Sequence, residues 1–220
     1  MKKESKDLIK VKDFLLKYKD TYENYEDFII NNFYNEIGSK SSIINSIKSY
    51  LNLSTNAFDI YRSYFEFLKN NYDLTGNILE VASGPFPTIS KYIDDYQKEK
   101  NKGSIEAYDP ILVNATLGNI KLNKKRFDDK IALSDKNLIF SMAPCSFTKE
   151  LISISNKNKK DFSILLCSCL FNHFRSQDEY LKYLLRYSMM SNKDDSIINI
   201  TYLDENDKYP IIYKKNSNFW

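Results

Sequence analysis

The sequence predicts an α/β protein in which a mainly parallel sheet with a C-terminal antiparallel hairpin is preceded by an all-helical N-terminal region. Two observations predict this class. Residues 1–74 contain one glycine and no proline, and their apolar residues recur at helical spacing. From residue 77, short apolar runs alternate with polar or helical segments, which is typical of βαβ units. We therefore expect a helical N-terminal cap over residues 1–75 and an α/β domain over residues 76–220.

Three stretches of the N-terminal region have apolar residues every three or four positions. They are Leu8, Val11, Leu15 and Tyr18; Ile43, Ile44, Ile47, Tyr50 and Leu51; and Phe58, Tyr61, Tyr64, Phe65 and Leu68. Gly38 followed by Ser39 marks a stop and a restart. Ser54, Thr55 and Asn56 are candidate N-caps for a helix from about Ala57. At this spacing the aromatic residues of the last helix are more often core than the roof of a pocket.

Five apolar runs after residue 77 predict strands at 78–82, 104–108, 138–142, 162–168 and 197–203. The capping-box pattern from Ser176 to Glu179 predicts a helix after the fourth run. The last run and Tyr209–Tyr213 form the predicted hairpin. We expect Pro210 on an edge strand, because proline cannot donate a ladder hydrogen bond.

Composition indicates a soluble globular protein, with 42% hydrophobic and 28% charged residues. No apolar run approaches the roughly 20 residues of a membrane span, and the first residues lack a signal-peptide core, so we expect a cytoplasmic protein without a membrane partner. The net charge of +3 neither requires nor excludes nucleic acid. The chain has three cysteines, Cys145, Cys167 and Cys169. An odd number favours reduced thiols over a framework of disulfides.

The first motif runs from Asn77 through Leu79–Gly84 to Ser90, as an apolar strand, a turn of small residues and the start of a helix. Small residues let backbone N–H groups approach a ligand at a helix N-terminus, so this pattern predicts a nucleotide cradle. Asp109 follows the second strand, where a carboxylate would meet a ribose. A helix N-cap or turn is the alternative role of Asp109.

From about residue 77 the chain resembles the class I S-adenosylmethionine-dependent methyltransferases, on the first motif, Asp109 and the closing hairpin. The resemblance implies a Rossmann-like S-adenosylmethionine-binding domain and a transferase with this cofactor. Methyl transfer is favoured, and so is a small-molecule acceptor, while nucleic acid stays open as an acceptor and no metal is expected. The cofactor-binding residues that the resemblance implies are Glu80, Ala82, Ser83, Gly84, Pro85, Asp109, Pro110, Ser141 and Met142.

The loop departs from the usual glycine-rich form, since Gly84 is followed by Pro85 and Pro87. The run from Ser83 to Pro87 is similar to the loop of nicotianamine-synthase-type enzymes, which implies aminocarboxypropyl transfer as an alternative. A non-catalytic cofactor-binding or partner module is another alternative. Too few residues join Ile131–Leu133 to the strand at 138–142 for a parallel crossover, so one strand or helix of the usual set is displaced, shortened or missing.

Cys145 and His173 are the weak catalytic candidates. Ala143 to Ser146, with Cys167 further on, resembles RNA 5-methylcytosine methyltransferases, in which a thiolate attacks the base. Buried structural thiols are the commoner explanation of such cysteines. His173 is the only histidine, and a histidine side chain is the type best suited to act as a general base near neutral pH. Basic residues that would contact phosphates or simply face solvent are Lys121, Lys124, Lys125, Arg126 and Lys130, and Lys157, Lys159 and Lys160.

Overall fold

The computed structural model describes residues 6–19, 42–53, 59–113, 115–167, 174–204 and 208–216. The helices are α1 (Lys6–Leu16), α2 (Ser42–Tyr50), α3 (Ile60–Asn71), α4 (Thr88–Lys100), α5 (Thr148–Lys157) and α6 (Gln177–Ser191), with a short 3-10 helix at Cys145–Phe147. The strands are β1 (Asn77–Val81), β2 (Ser104–Tyr108), β3 (Lys121–Asn123), β4 (Leu138–Met142), β5 (Asp161–Leu165), β6 (Ile197–Tyr202) and β7 (Pro210–Lys215). In these ranges no helix has the length and apolar character needed to span a bilayer.

The strands form one seven-stranded sheet in the order β3-β2-β1-β4-β5-β7-β6. Strands β1 to β5 are parallel, and β7 is antiparallel to both of its neighbours. This confirms the predicted α/β class with its closing hairpin. The direction of strand succession reverses between β1 and β4, and open sheets bind ligands at such a switch point, at the carboxyl ends of the strands.

The expectation that Pro210 lies on an edge strand was wrong. Strand β7 lies between β5 and β6, so β3 and β6 form the two edges of the sheet. Pro210 is tolerated because it is the first residue of β7, where a missing N–H costs little. Its carbonyl still accepts a hydrogen bond of 2.9 Å from the N–H of Leu166.

Crossover helices are missing around β3. Between β2 and β3, and between β3 and β4, the described residues 109–113, 115–120 and 124–137 form turns and no helix. Residues 131–133 therefore belong to a loop, in agreement with the prediction that an element of the usual set is absent. Phe127 and Leu133 project from this loop and are 2% and 3% exposed, so they cover part of the sheet in place of a helix.

Helix α3 begins at Ile60, later than the sequence predicted. Its N-cap is Asp59, whose Oδ1 accepts hydrogen bonds from the N–H groups of Tyr61 at 3.0 Å and Arg62 at 3.3 Å. This carboxylate satisfies two of the donors that an isolated helix end leaves unpaired. The predicted N-caps Ser54, Thr55 and Asn56, and the predicted break at Gly38, lie outside the described residues.

The N-terminal helices share a hydrophobic core with the sheet. One cluster contains Leu15 of α1, Ile47 of α2 and Tyr64 of α3 together with Ile78 of β1. Tyr64 is fully buried, and its hydroxyl donates to the carbonyl oxygen of Ser163 at 2.8 Å. The aromatic helix is therefore core, as its spacing predicted. The division into a cap over 1–75 and a domain over 76–220 stays a prediction.

Candidate functional site

The loop after β1 is tied to the segment that follows β2. The N–H of Ala82 donates to the carbonyl of Tyr108 at 2.9 Å, and the carbonyl of Pro85 accepts from the N–H of Val113 at 3.1 Å. Gly84 has a φ of 72°, a backbone conformation that glycine adopts without strain. These two hydrogen bonds therefore attach the loop of the first motif to the end of β2 and to the segment that follows it.

Asp109 lies one residue beyond β2 and reaches this loop. Its Oδ2 accepts the N–H of Gly84 at 3.0 Å, and its Oδ1 accepts the N–H of Ile111 at 2.9 Å. An ionised carboxylate has about four acceptor positions, so two remain for a ligand. The structure thus brings together the two predicted parts of the site, the small-residue loop and the acid after the second strand.

A cleft of about 240 Å³ opens beside Asp109 at the carboxyl edge of the sheet. Its walls are formed by Val81, Ala82, Tyr108, Asp109, Pro110, Arg126, Phe127, Ser146 and Phe147. The Phe127 ring stands edge-to-face with Tyr108 at 5.7 Å and with Phe147 at 6.3 Å between centroids. The Arg126 guanidinium lies 5.6 Å from the Phe147 ring. This cleft offers aromatic surface and a cation next to a carboxylate.

Sequence reasoning assigned no role to the wall residues Phe127 and Phe147, and it named Arg126 only as a candidate phosphate contact and Ser146 only as part of the motif from Ala143 to Ser146. Arg126 and Phe127 come from the loop that replaces a crossover helix, and the other two from the short turn after β4. Neither segment has a periodicity that would place its side chains. The only signal available was the position of Ser146 and Phe147 after a predicted strand, at the edge where ligands bind.

Glu80 is buried beneath the N-terminal helices. It is 2% exposed, and its Oε2 accepts hydrogen bonds from the Ser90 hydroxyl and, at 3.1 Å, from the Ser90 N–H. Burial raises the pKa of Glu80 to about 8, against the lowering effect of the two Ser90 donors, and the charge of Asp109 raises it further. Burial also raises the pKa of Tyr61 to about 12, with a smaller contribution from Glu80. Glu80 is not one of the walls of the cleft, and its side chain lies on the side of β1 that faces Ser90 of α4. Strongly perturbed carboxyls are nevertheless typical of functional sites.

Phe86 joins the first motif to the N-terminal helices. It is 1% exposed, and its ring centroid lies near three aromatic rings: Phe14 of α1 at 5.1 Å, Tyr18 in the turn after α1 at 5.7 Å, and Tyr50 of α2 at 6.3 Å. Two residues further, the hydroxyl oxygen of Thr88 lies 2.8 Å from that of Ser46. The N-terminal helices therefore contact the loop of the first motif at Phe86, the residue between Pro85 and Pro87.

Backbone strain is concentrated at the same edge of the sheet. Ala82, Ala143 and Cys145 have φ values of 56°, 55° and 50°, in the left-handed region that favours glycine. Ala82 follows β1 and Ala143 follows β4, and these strands are neighbours. Such residues cost on the order of 1–3 kcal/mol each and cluster at functional sites.

We expect Ala143→Gly to raise the free energy of unfolding by about 1 kcal/mol, because glycine adopts a positive φ without steric cost. Ala143 is exposed, so little packing is lost. Urea denaturation measures the change. Ala107→Gly is the control, since Ala107 is fully buried in β2 and its replacement lowers stability. A loss of stability in both variants would contradict the strain assigned to Ala143.

The other predicted residues lie in different surroundings. Ser141 is fully buried within β4, and its hydroxyl donates to the Val81 carbonyl at 2.6 Å, so it holds two strands together. Met142 is half-buried and packs against the core. Cys145 is half-buried, with its thiol donating to the Ala143 carbonyl at 3.4 Å, next to the cleft residue Ser146. Ser83 is half-buried in the loop, and His173 and Cys169 lie outside the described residues.

No protein-family model matches the chain, and no curated protein matches it. Among solved structures it is similar to a SAM dependent methyltransferase from Aquifex aeolicus, with a TM-score of 0.50 and 14% identity over 77% of this chain and 97% of that one. It is also similar to a chain of the Pnkp1/Rnl/Hen1 RNA repair complex, with a TM-score of 0.50 and 10% identity over 72% of this chain and 42% of that one. The fold is therefore that of the class I S-adenosylmethionine-dependent methyltransferases, as the sequence predicted.

Proposed function

We propose that the protein is an S-adenosylmethionine-dependent transferase that binds its cofactor in the cleft beside Asp109. The observation that carries this proposal is the hydrogen bond between the Asp109 carboxylate and the N–H of Gly84, at the mouth of an aromatic cleft. It joins the loop after β1 to the end of β2, at the edge where open α/β sheets bind ligands. Asp109 and the loop residues Ala82 to Pro85 are thus the proposed cofactor contacts.

The chemistry of the cleft suits an adenosine. The acceptor positions left on Asp109 match a pair of ribose hydroxyls, and hydrogen bonds to an ionised acceptor are among the stronger ones. Tyr108, Phe127 and Phe147 offer aromatic surface to a planar base. The volume of about 240 Å³ is below the roughly 300–1,000 Å³ of pockets for whole drug-sized ligands. It therefore fits the adenosine end alone.

We assign the other end of the cofactor to the side of Glu80. An ionised carboxylate in a buried site favours a cation, which the amino group of the methionine part supplies. Pro110 would border the ribose. Ser141 would not contact the cofactor directly: its hydrogen bond to Val81 would hold the ends of β1 and β4 in place. Met142 would support these strand ends by packing against the core.

When bound, S-adenosylmethionine supplies an electrophilic carbon next to a sulfonium sulfur. The chain itself then has to orient the acceptor, exclude water and receive a proton. Cys145, beside the cleft, and His173 remain the candidates for a proton-accepting or nucleophilic role. The N-terminal helices, fixed to the loop through Phe86, would act as a lid over the site.

Methyl transfer is the favoured reaction, and aminocarboxypropyl transfer is the second candidate. The second is supported by the run from Pro85 to Pro87, whose central Phe86 is buried against the N-terminal helices. The by-product separates the two, since methyl transfer leaves S-adenosylhomocysteine and aminocarboxypropyl transfer leaves methylthioadenosine. Binding without either by-product, over a panel of small-molecule and RNA acceptors, would favour a non-catalytic module.

Calorimetric titration with S-adenosylmethionine tests the proposal. We expect one site in the wild type and a loss of binding in Ser146→Trp, because an indole at this cleft position occupies the space of the base. Ser134→Trp is the control, since Ser134 is exposed on the loop before β4 and does not line the cleft. No heat of binding by the wild type, or equal binding by Ser146→Trp, would overturn the site.

A further inference from the structure

Positive charge is concentrated in one part of the chain. Residues 121–160 contain ten lysines and arginines against four acidic residues, whereas the rest of the chain contains 22 against 25. This segment therefore has a net charge of +6, and the remainder has −3. A modest overall charge thus hides a strong asymmetry, which bears on the choice of partner.

The structure places these charges on three adjacent segments: the loop before β4, α5 and the turn after α5. The loop before β4 packs against α5 through two polar contacts, Arg126 with Glu150 at 3.3 Å and Lys157 with Asp129 at 3.7 Å. A third contact joins it to the turn after α5, where Lys160 Nζ donates to the Ser134 carbonyl at 2.9 Å. The basic face is defined by Lys124, Lys125, Arg126, Lys130, Lys149, Lys157, Lys159 and Lys160. Lys160 is half-buried and the other seven are exposed.

Most of this charge is not neutralised. In the part of the chain that the structure describes, two of the eight cations form ion pairs, Arg126 with Glu150 and Lys157 with Asp129. Arg126 is 73% exposed and also lines the cleft, so the basic face begins at the proposed cofactor site. It continues along the ten residues of α5, which is about 15 Å of helix.

We propose that the basic face binds the phosphate backbone of a single-stranded nucleic acid. A strand with a stacked rise of about 3.4 Å per phosphate would place about four phosphates along this length. At the cleft end the Arg126 guanidinium, which is 73% exposed, offers a planar stacking surface to an unpaired base outside the cofactor cleft.

A membrane surface fits these observations less well. Membrane-binding faces combine basic residues with exposed apolar ones that insert between lipids. Among the described residues, the exposed large apolar side chains are Ile9, Leu16, Ile111, Tyr183, Met189, Met190 and Ile197. None of them lies in residues 121–160, and one of them, Tyr183, has its ring centroid 5.4 Å from the Nζ of Lys149 at the α6 side of the basic face. A single exposed ring at one side leaves the basic face better suited to phosphates in water than to lipid.

Because the face begins at the cleft, a bound strand would pass the site with one nucleotide beside it. A nucleic acid is then the acceptor class, in place of the small molecule that the sequence favoured. That step rests on the proposed function. Binding of the strand by the basic face does not, so the two can fail separately.

Fluorescence anisotropy with a labelled single-stranded RNA of about 12 nucleotides tests the inference. With about four phosphate contacts, the logarithm of the binding constant should fall with the logarithm of salt concentration with a slope of about −3. The triple variant Lys124→Glu, Lys130→Glu, Lys159→Glu should bind on the order of 100-fold more weakly and reduce the slope by about 2. Its calorimetric affinity for S-adenosylmethionine should be unchanged, since none of the three lines the cleft.

The control is Lys10→Glu, Lys102→Glu, Lys208→Glu, which changes the net charge equally at exposed positions outside the basic face. It should bind the RNA at least about ten times more tightly than the first triple variant. Equal loss in both triple variants, or no RNA binding by a wild type that binds S-adenosylmethionine, would overturn the inference and leave the proposed function standing. Tighter binding to phosphatidylserine vesicles than to RNA, lost in the first variant, would overturn it in favour of a membrane. RNA binding by a wild type that does not bind S-adenosylmethionine would instead contradict the proposed function.

Discussion

Replacing Asp109 by alanine is expected to weaken S-adenosylmethionine binding by on the order of 100-fold or more. Two hydroxyl donors lose a charged acceptor, and each such hydrogen bond contributes about 1.5–3 kcal/mol. The N–H of Gly84 loses its acceptor as well, so the loop of the first motif also loses its attachment to the end of β2. Calorimetric titration of Asp109→Ala against the wild type measures the loss.

Asp128→Ala is the matched control for this experiment. Asp128 accepts the N–H of Lys130 at 3.0 Å in the same two-residue turn that Asp109 makes with Ile111, but it does not line the cleft. Its removal should leave the cofactor affinity unchanged. Asp109→Asn, which keeps one oxygen acceptor, should lie between alanine and wild type. Wild-type affinity in Asp109→Ala would show that the carboxylate does not contact the cofactor.

Replacing Glu80 by glutamine is expected to stabilise the folded protein at high pH. The pKa of Glu80 is about 8 in the folded state and 4.5 as its ordinary value. Between these pH values the folded state retains a proton that the unfolded state has lost, so the stability of the wild type falls as pH rises and levels off above pH 8. Glutamine does not ionise and escapes this loss. The glutamine variant should exceed the wild type by at least about 1.4 kcal/mol at pH 8.5, the equivalent of one pKa unit.

Urea denaturation at several pH values measures this difference, which should shrink towards pH 4.5. Glu66→Gln is the control, because the Glu66 side chain is 49% exposed and, among the described residues, its one ion pair is with Lys69 on the helix surface. Its stability relative to the wild type should vary little with pH. A pH-independent difference for Glu80→Gln would contradict a buried, protonated carboxyl.

The same substitution should weaken cofactor binding, so stability and function would move in opposite directions. If the cationic end of the cofactor requires ionised Glu80, the wild-type affinity should rise between about pH 6 and pH 8, as the proton becomes easier to remove. The glutamine variant should lack this rise and bind more weakly at pH 8.5. Equal affinities at pH 8.5 would place the methionine part of the cofactor away from Glu80.

The sheet was largely predictable because its central strands are buried on both faces. Such strands appear in the sequence as continuous apolar runs, and the predictions 104–108 and 138–142 agree with β2 and β4. The fourth run was predicted as 162–168, whereas β5 ends at Leu165. Leu166 continues the apolar run because it is buried beyond the end of the strand.

Strand order and long-range polar contacts were not predictable from local patterns. Pro210 indicated an edge strand, but only the register of β7 between two neighbours shows why the first position tolerates it. The N-cap of α3 falls on Asp59, since its carboxylate has donors from both Tyr61 and Arg62. The N-cap candidates Ser54, Thr55 and Asn56 predicted a start at about Ala57, which is three residues before Ile60.

The order of the motifs predicted the loop after β1 and the acid after β2, but it did not predict the aromatic walls of the cleft. A small-residue loop and an acid after two neighbouring parallel strands had to meet at one edge of the sheet, and Gly84 and Asp109 do so. Phe127 reaches the cleft from a loop and Phe147 from the short 3-10 helix after β4, and neither segment has a periodic pattern that would place its side chains. The burial of Glu80 under the N-terminal helices depends on contacts between distant parts of the chain, so its pKa could not be read from its neighbours in sequence.

A crystal structure with S-adenosylhomocysteine, the methyl-transfer by-product, tests the central claim most directly. We expect its ribose hydroxyls on the Asp109 carboxylate, its base between the aromatic walls of the cleft and its amino group on the side of Glu80. Density for the ligand elsewhere on the protein would contradict the site. So would no density in crystals soaked at a concentration that saturates the protein in solution.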